Sequence, residues 1–266
     1  PSYGCDAVRY GLMSMTSGQS QDIRLIVKRS ERNPKEYAKE YDAELAQYDV
    51  KIPLFEEGSR FCNKIWQACH GVIFPNCKEV NLAQEGGNCL EDLWLSDKMH
   101  HVVKDSTRAF ERYKIGEMCD ILYHFFWDDL CSWYLEIAKQ RLWGERGEES
   151  KKQAQILLAR VLDSFLRLLH PIMPFITEEL WQTLRPILVR KGKKLPQACI
   201  VASWPDPKKF LSYPESREIV ELAREIVTAI NNIRAEYKVA PAQKIQKVIL
   251  TGTNATLLKS LEPLWE

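Results

Sequence analysis

Hydrophobic residues recur every three or four positions over much of the chain, which is the spacing of a helix with one buried face. The clearest run covers residues 117–143, where the apolar positions lie opposite polar ones such as Asp120 and Lys139. Its apolar stripe consists of Met118, Ile121, Leu122, Phe125, Phe126, Trp133, Tyr134 and Ile137. The same spacing predicts helices over residues 61–72, 97–113, 153–169, 177–188 and 215–237.

Glycine and proline residues separate these helices. Gly144 and Gly147 interrupt the pattern, Pro171 ends the following helix, and Pro174 suits the first turn of the next. Ser96 is a suitable N-cap for the helix that reaches residue 113. The pattern is typical of a mostly α protein built as an antiparallel helical bundle.

Four segments depart from the helical pattern. Residues 30–49 have weak helical periodicity and are interpreted as a surface insertion, and residues 75–92 as a loop. Residues 190–214 are rich in Pro and Lys and read as a connector. Residues 244–251 suggest a strand, which needs partners because a single strand is not stable in water.

These boundaries divide the chain into four parts. They are a connector over residues 1–28, a bundle over 29–195, a linker over 196–214 and the start of a small, truncated α+β C-terminal part over 215–266.

Composition narrows the class of protein. The 266 residues are 45% hydrophobic and 27% charged, as in globular domains and unlike disordered chains. Lys and Arg number 37 against 36 Asp and Glu, which argues against a DNA-coating protein but not against a local basic face. Aromatic residues make up 10% of the chain, including 8 Trp, so we expect a sizeable core or a binding surface. No apolar run approaches the roughly 18 residues of a membrane span, so no membrane partner is expected.

Eight cysteines form no Cys-x-x-Cys pair, which is typical of reduced, mostly buried thiols in a cytoplasmic protein. Cys119, His124 and Cys131 lie within one helical pattern without ligand-pair spacing. Zinc is therefore disfavoured, and we assign no metal ligand.

No catalytic constellation is visible in the sequence. Gly86-Gly87 lacks the following Lys and Ser or Thr of a phosphate-binding loop. Asp128 and Asp129 are adjacent on a helix and so point in different directions, which favours salt-bridge partners over a facing carboxylate pair. We therefore predict no catalytic residue.

Basic residues are clustered in three places, and such clusters suit RNA phosphates. From charge alone, a solvated surface is the favoured interpretation. The clusters are Arg24, Lys28, Arg29 and Arg32; Arg60 and Lys64 on one predicted helix face; and Arg190, Lys191, Lys193 and Lys194.

Several stretches resemble valyl-tRNA synthetases, downstream of their catalytic domain. YGCDAVRYGL from Tyr3 and SGQSQDIRL from Ser17 resemble the segment after the KMSKS loop of that family. FCNKIWQA from Phe61 resembles the start of its anticodon-binding helical bundle. LYHFFWDDLCSWYLEIAK from Leu122 and LLHPIMPFITEELWQTL from Leu168 are the most specific matches, and IRAEYKVAPAQK from Ile233 extends the resemblance.

The resemblance implies that the chain is a fragment of a class I aminoacyl-tRNA synthetase. In that family, the HIGH and KMSKS motifs and the editing domain precede this region, so the chain alone is expected to be inactive in aminoacylation. ATP and magnesium are expected for the full enzyme and no cofactor for the fragment. The implied partners are tRNA(Val), mainly its anticodon loop, and the enzyme's own catalytic domain; we expect a cytoplasmic monomer.

By resemblance, the helix from residue 61 lies at the tRNA surface. The implied binding residues are Arg60, Asn63, Lys64, His70, Arg24 and Lys28. Asn63 and Arg60 offer donors to base edges, and Lys64 could hold phosphate. Trp66 is interpreted as a core residue rather than a stacking platform.

The chain departs from the family pattern beside this surface. The family commonly has Arg-Asn before the Phe of FCNK, whereas this chain has Ser59-Arg60, which turns the Arg by about 100°. Gly71 removes an aromatic residue that could have stacked on a base. His70 either replaces a basic contact or caps a helix, and both roles stay open.

Other residues of the resemblance are expected to be structural. Asp6, Arg9 and Asp22 belong to the connecting segment and are expected to brace the bundle against the catalytic domain. Trp133 and Trp181 are interpreted as packing residues.

Two alternatives remain beside an anticodon-binding module for valine. One is the corresponding module of an isoleucyl- or leucyl-tRNA synthetase, because those enzymes share the bundle. The other is a helical scaffold that binds protein partners and no RNA, which the aromatic-rich composition would also suit.

Overall fold

The computed structural model describes residues 3–16, 25–31, 48–82, 84, 86–189, 195–240, 243, 245, 247–250 and 261. Helices dominate these residues, which confirms the prediction of a mostly α-helical bundle. The helices are α1 (Cys5–Ser14), α2 (Pro53–Ala68), α3 (Leu90–Glu111), α4 (Ile115–His124), α5 (Leu135–Leu142), α6 (Glu148–Leu169), α7 (Pro174–Leu184) and α8 (Pro214–Glu236). Among the described helices, none combines the length and the apolar content needed to cross a membrane.

Two short two-stranded sheets accompany the helices. β1 (Lys28–Glu31) pairs antiparallel with β2 (Tyr48–Lys51), and β3 (Val80–Asn81) pairs parallel with β4 (Leu188–Val189). The sequence reading missed all four strands, because two- to four-residue strands carry too little alternation to be detected. In the strand predicted over residues 244–251, residues 245 and 247–250 belong to no strand, and the rest lie outside the described residues.

Wide helical turns interrupt two of the predicted helices. α2 continues into a π-helix, Cys69–Ile73, followed by one α-turn, Phe74–Asn76. A ten-residue π-helix, Phe125–Tyr134, joins α4 to α5 without a break. The long helix predicted over residues 117–143 is thus confirmed in extent, but its middle does not have the α-helical repeat that the prediction assumed.

Several predicted boundaries were wrong. The helix predicted from residue 61 begins at residue 53, and the one predicted from residue 153 begins at residue 148. The helix predicted over residues 177–188 is α7, which begins earlier and gives way to a 3₁₀ turn, Arg185–Ile187. The predicted loop over residues 75–92 contains β3 and the start of α3. The helix predicted over residues 215–237 is confirmed as α8.

Two helix N-termini are capped by acidic side chains that come from other helices. Asp6 of α1 accepts hydrogen bonds from Phe175 N (3.3 Å) and Ile176 N (2.6 Å) at the start of α7. Asp97 of α3 accepts from Ser212 Oγ and Tyr213 N, at 2.7 and 2.8 Å, where α8 begins. Both carboxylates satisfy backbone donors that a helix leaves unpaired.

The predicted N-cap role of Ser96 was wrong. α3 begins after Cys89, so Ser96 lies inside the helix, and its hydroxyl donates to Leu211 O at 3.1 Å. Arg9, expected to face another domain, donates to Ile172 O and Pro171 O at 3.0 and 2.9 Å. The connecting helix α1 is thus bonded to the turn before α7, and Asp22 lies outside the described residues.

Aromatic side chains pack within a core that is mostly aliphatic. Phe126 and Phe165 stack with centroids 4.6 Å apart, and Trp181 is buried, as its interpretation as a packing residue predicts. The residues after 195 also pack on the bundle: Phe210 is buried, and Trp204 Nε1 donates to Thr107 Oγ1 at 2.8 Å.

A buried guanidinium joins α3, α5 and α6. Arg141 donates through Nε to Ser150 Oγ, through Nη1 to Glu91 and Asp92, and through Nη2 to Asp92 and to the Ser150 carbonyl. These five contacts match the five N–H donors of the group. Tyr134 OH also donates to Asp92 at 2.7 Å, and burial together with the Asp92 charge raises the pKa of Tyr134 well above its ordinary value.

Replacing this guanidinium should destabilise the whole bundle. Arg141→Met leaves two buried carboxylates without their cation, so we expect the free energy of unfolding to fall by about 3–5 kcal/mol in urea titrations. Lys139→Met, which removes the exposed Lys139–Glu136 pair, should cost less than about 1 kcal/mol. Equal losses for the two variants would contradict the role given to Arg141.

Candidate nucleic-acid interface

The outward face of α2 gathers four of the six predicted binding residues. Phe61 and Ile65 point into the core, and the helical repeat therefore turns the intervening positions toward solvent. Arg60 and Asn63 are exposed and Lys64 is half-buried. His70 is exposed one to two turns further along, in the π-helix that continues α2.

Of the other two predicted residues, Lys28 does not join this face, and Arg24 lies outside the described residues. Lys28 lies in β1 opposite Lys51, just before α2 begins at Pro53. At 1.5 Å per residue, His70 is about 25 Å further along the helix axis. Arg32 and the basic run over residues 190–194 also lie outside the described residues.

A pair of aromatic rings beside Lys64 was not predicted as part of the surface. The Lys64 ammonium lies 5.3 Å from the centroid of Trp127, and Trp127 stacks on Tyr123 at 5.4 Å with an interplanar angle of 18°. Both rings are half-buried. This contact could not be predicted from the sequence, because Trp127 lies in the π-helix after α4, where the α-helical repeat no longer predicts the direction of a side chain.

The charged groups that act on Tyr123 include Arg60, one of the predicted binding residues. Burial raises the pKa of Tyr123, the charges of Glu57 and Asp128 raise it further, and the charge of Arg60 lowers it. The surface around Tyr123 is thus of mixed charge. This arrangement suits a ligand that combines phosphate groups with planar bases.

Trp66 was predicted to lie in the core, and this was wrong. Its side chain is 42% exposed, because residue 66 is about 100° around the helix from the buried Ile65. The Trp66 and His70 rings lie 4.0 Å apart between centroids, and His70 meets Phe74 edge-on at 5.1 Å. His70 therefore packs on a ring, and no helix among the described residues is capped by its side chain.

The adjacent acids take the structural role that the sequence predicts. Asp128 accepts from His124 Nδ1 at 2.8 Å, whereas Asp129 bonds Arg224 Nη1 at 2.6 Å on another side of the helix. Burial raises the pKa of Asp129, and Lys98 and Arg224 lower it. The interpretation of these acids as salt-bridge partners is confirmed.

The cysteine and histidine set considered for zinc does not come together. His124 is exposed and bonded to Asp128, whereas Cys119 and Cys131 are buried, and burial raises the pKa of each thiol to about 12. Within the described ranges, no three His, Cys, Asp or Glu side chains are placed to hold a metal ion.

Comparison with known proteins points to one family. A family model described as "Anticodon-binding domain of tRNA ligase" matches residues 92–249. The valine–tRNA ligase of a Nostoc species is 33% identical over 257 residues, covering 91% of this chain and 23% of that protein. The valine–tRNA ligase of Geobacillus stearothermophilus is 33% identical over 265 residues, covering 97% and 26%. That of Dehalococcoides mccartyi is 38% identical over 203 residues, covering 76% and 22%. The chain thus spans about a quarter of the length of the curated relatives it matches.

Thiol reactivity tests the burial of the cysteines. All eight are free, five are buried, and Cys5 is the exposed one. Burial raises the pKa of Cys77 and Cys199 to about 12, as for Cys119 and Cys131, so these thiols stay protonated at pH 8. We expect Cys5 to react fastest with Ellman's reagent, the half-buried Cys62 and Cys89 more slowly, and the five buried thiols only in urea; the fastest phase should be lost in Cys5→Ser. Rapid reaction of several thiols in the folded Cys5→Ser variant would contradict this burial.

Proposed function

The chain belongs to the anticodon-binding domain family of tRNA ligases, and we propose that it acts as the anticodon-binding module of a valine–tRNA ligase. The observation that supports this proposal most directly is the outward face of α2. There Lys64 lies over Trp127, Arg60 is close enough to Tyr123 to lower its pKa, and Asn63 is exposed on the same outward face of α2. RNA loops are recognised by this combination of groups.

Each residue has a distinct proposed role. The Asn63 amide offers both a donor and an acceptor, so it can read the edge of an unpaired base. Arg60 and Lys64 bind phosphate and hold the loop in position without reading its sequence. Packing on Trp127 restricts the Lys64 side chain, which lowers the entropy that binding would otherwise cost.

Aminoacylation itself is assigned to the remainder of such a ligase. We propose that ATP, magnesium and valine bind there, and that this chain positions tRNA(Val) for the reaction. The residues of this chain do no bond-making chemistry in the proposal. Their contribution is to hold the anticodon loop, and with it the rest of the tRNA, in a fixed orientation.

Binding of altered tRNAs tests the proposal. Valine anticodons share A at the middle position and C at the last, so tRNA(Val) should bind more tightly than the same tRNA altered at the middle base. Fluorescence anisotropy at low salt measures both affinities, and the binding should weaken steeply as salt rises. Equal binding of the two tRNAs would contradict anticodon reading, and no binding by the folded chain would favour the protein scaffold. Tighter binding of isoleucine or leucine tRNA would reassign the amino acid.

Two substitutions, each by an uncharged residue, distinguish phosphate contacts from base contacts. Lys64→Gln should weaken binding to both tRNAs equally and reduce the slope of log affinity against log salt by about 1. Asn63→Ala should leave that slope unchanged and reduce the difference between the two tRNAs. The comparison uses anisotropy titrations at several salt concentrations.

Lys208→Gln provides the matched control. It removes the same charge from an exposed position in the 3₁₀ turn Pro207–Lys209, on the segment that packs on α3. Its slope should equal that of the unmodified chain. A slope change as large as that of Lys64→Gln would show a general effect of net charge and would contradict the proposed contact.

A further inference from the structure

Three rings form a row along the outer side of α2 and its π-helical continuation. Trp66 is 42% exposed, and its ring lies 4.0 Å from that of His70 at an angle of 35°. His70 in turn meets the edge of Phe74 at 5.1 Å. The exposed Trp66 ring ends a row of rings, so it offers a flat apolar surface on which a further planar group can stack.

Gly71, next to His70, is a second unusual feature of the same surface. Glycine in a helix interior destabilises it by roughly 0.5–1 kcal/mol relative to alanine. Its φ is not in the left-handed region, and a Cβ added there would meet no atom within 4 Å. Neither backbone conformation nor packing among the described residues therefore requires glycine, and the surface next to His70 carries no side chain at this position.

The neighbouring groups identify the kind of ligand. Asn63 and Gln67 are exposed and lie within one turn of Trp66, so amide groups border the ring. Arg60 and Lys64 lie further around the same outward face. The side chains of an apolar peptide would not pair with these amide and cationic groups. A nucleotide would, because it carries a planar base, hydrogen-bonding edges and a phosphate.

We propose that Trp66 and His70 form a stacking platform for an unpaired anticodon-loop base. The base extends the row of rings at the exposed part of Trp66, and Asn63 reaches its edge. This inference rests on the proposed function, since it assigns part of the same RNA surface.

The test uses an anticodon stem–loop RNA of tRNA(Val) carrying 2-aminopurine at each anticodon position in turn. The fluorescence of 2-aminopurine is quenched when the base stacks on a ring. We expect quenching at one position on binding to the 266-residue chain. Trp66→Leu should abolish that quenching and weaken binding roughly 5- to 150-fold, the range for loss of one base–aromatic stack.

Trp66→Phe keeps a ring and should retain quenching and most of the affinity. Trp143→Leu is the matched control: Trp143 is 62% exposed at the end of α5, and its replacement should leave binding and quenching unchanged.

The outcomes separate this inference from the proposed function. If the unmodified chain binds no RNA, both are overturned. If it binds and discriminates between anticodons, but Trp66→Leu behaves like Trp143→Leu, the platform alone is overturned.

Discussion

The buried guanidinium of Arg141 is the contact on which the arrangement of the helices depends. A charge removed from water is tolerated only when its hydrogen bonds and its counter-charge are supplied by the protein. Asp92 and Ser150 supply them from α3 and from the first turn of α6. The chain must therefore reverse direction just after α5, and Gly144 and Gly147 both adopt the positive φ that this tight reversal requires.

Cations placed over indole rings recur on this protein and explain how a nearly neutral chain uses so many aromatic residues. Arg224 lies between Trp94 and Trp133, at 5.7 and 5.2 Å from their centroids, and so fastens α8 to the bundle. Lys64 of α2 lies in the same way over Trp127 of the π-helix. The same contact of a cation with an indole ring thus stabilises helix packing at α8 and, in our proposal, contributes to RNA binding at α2.

Local features of the fold could be predicted from the sequence, and long-range ones could not. Repeated apolar positions define most of the helices, and the Asp128–Asp129 pair could be interpreted correctly because helix geometry alone separates the two side chains. The caps supplied by Asp6 and Asp97 come from distant helices and could not be read from local sequence, and Ser96 fails as an N-cap because α3 begins at Leu90. On the candidate surface, residue types and helix face were predictable, but the exposure of Trp66 depended on which side of α2 the neighbouring helices cover.

The π-helix Phe125–Tyr134 lies between two parts of one long helix that have different roles. Upstream of it Tyr123 faces α2, and downstream of it Arg141 must enter the buried acidic site. Removing one residue between them would rotate everything beyond by about 100° and turn the guanidinium away from Asp92. The length of this segment is therefore under stricter constraint than its amino-acid identities, so insertions and deletions here should be eliminated by selection more strongly than substitutions.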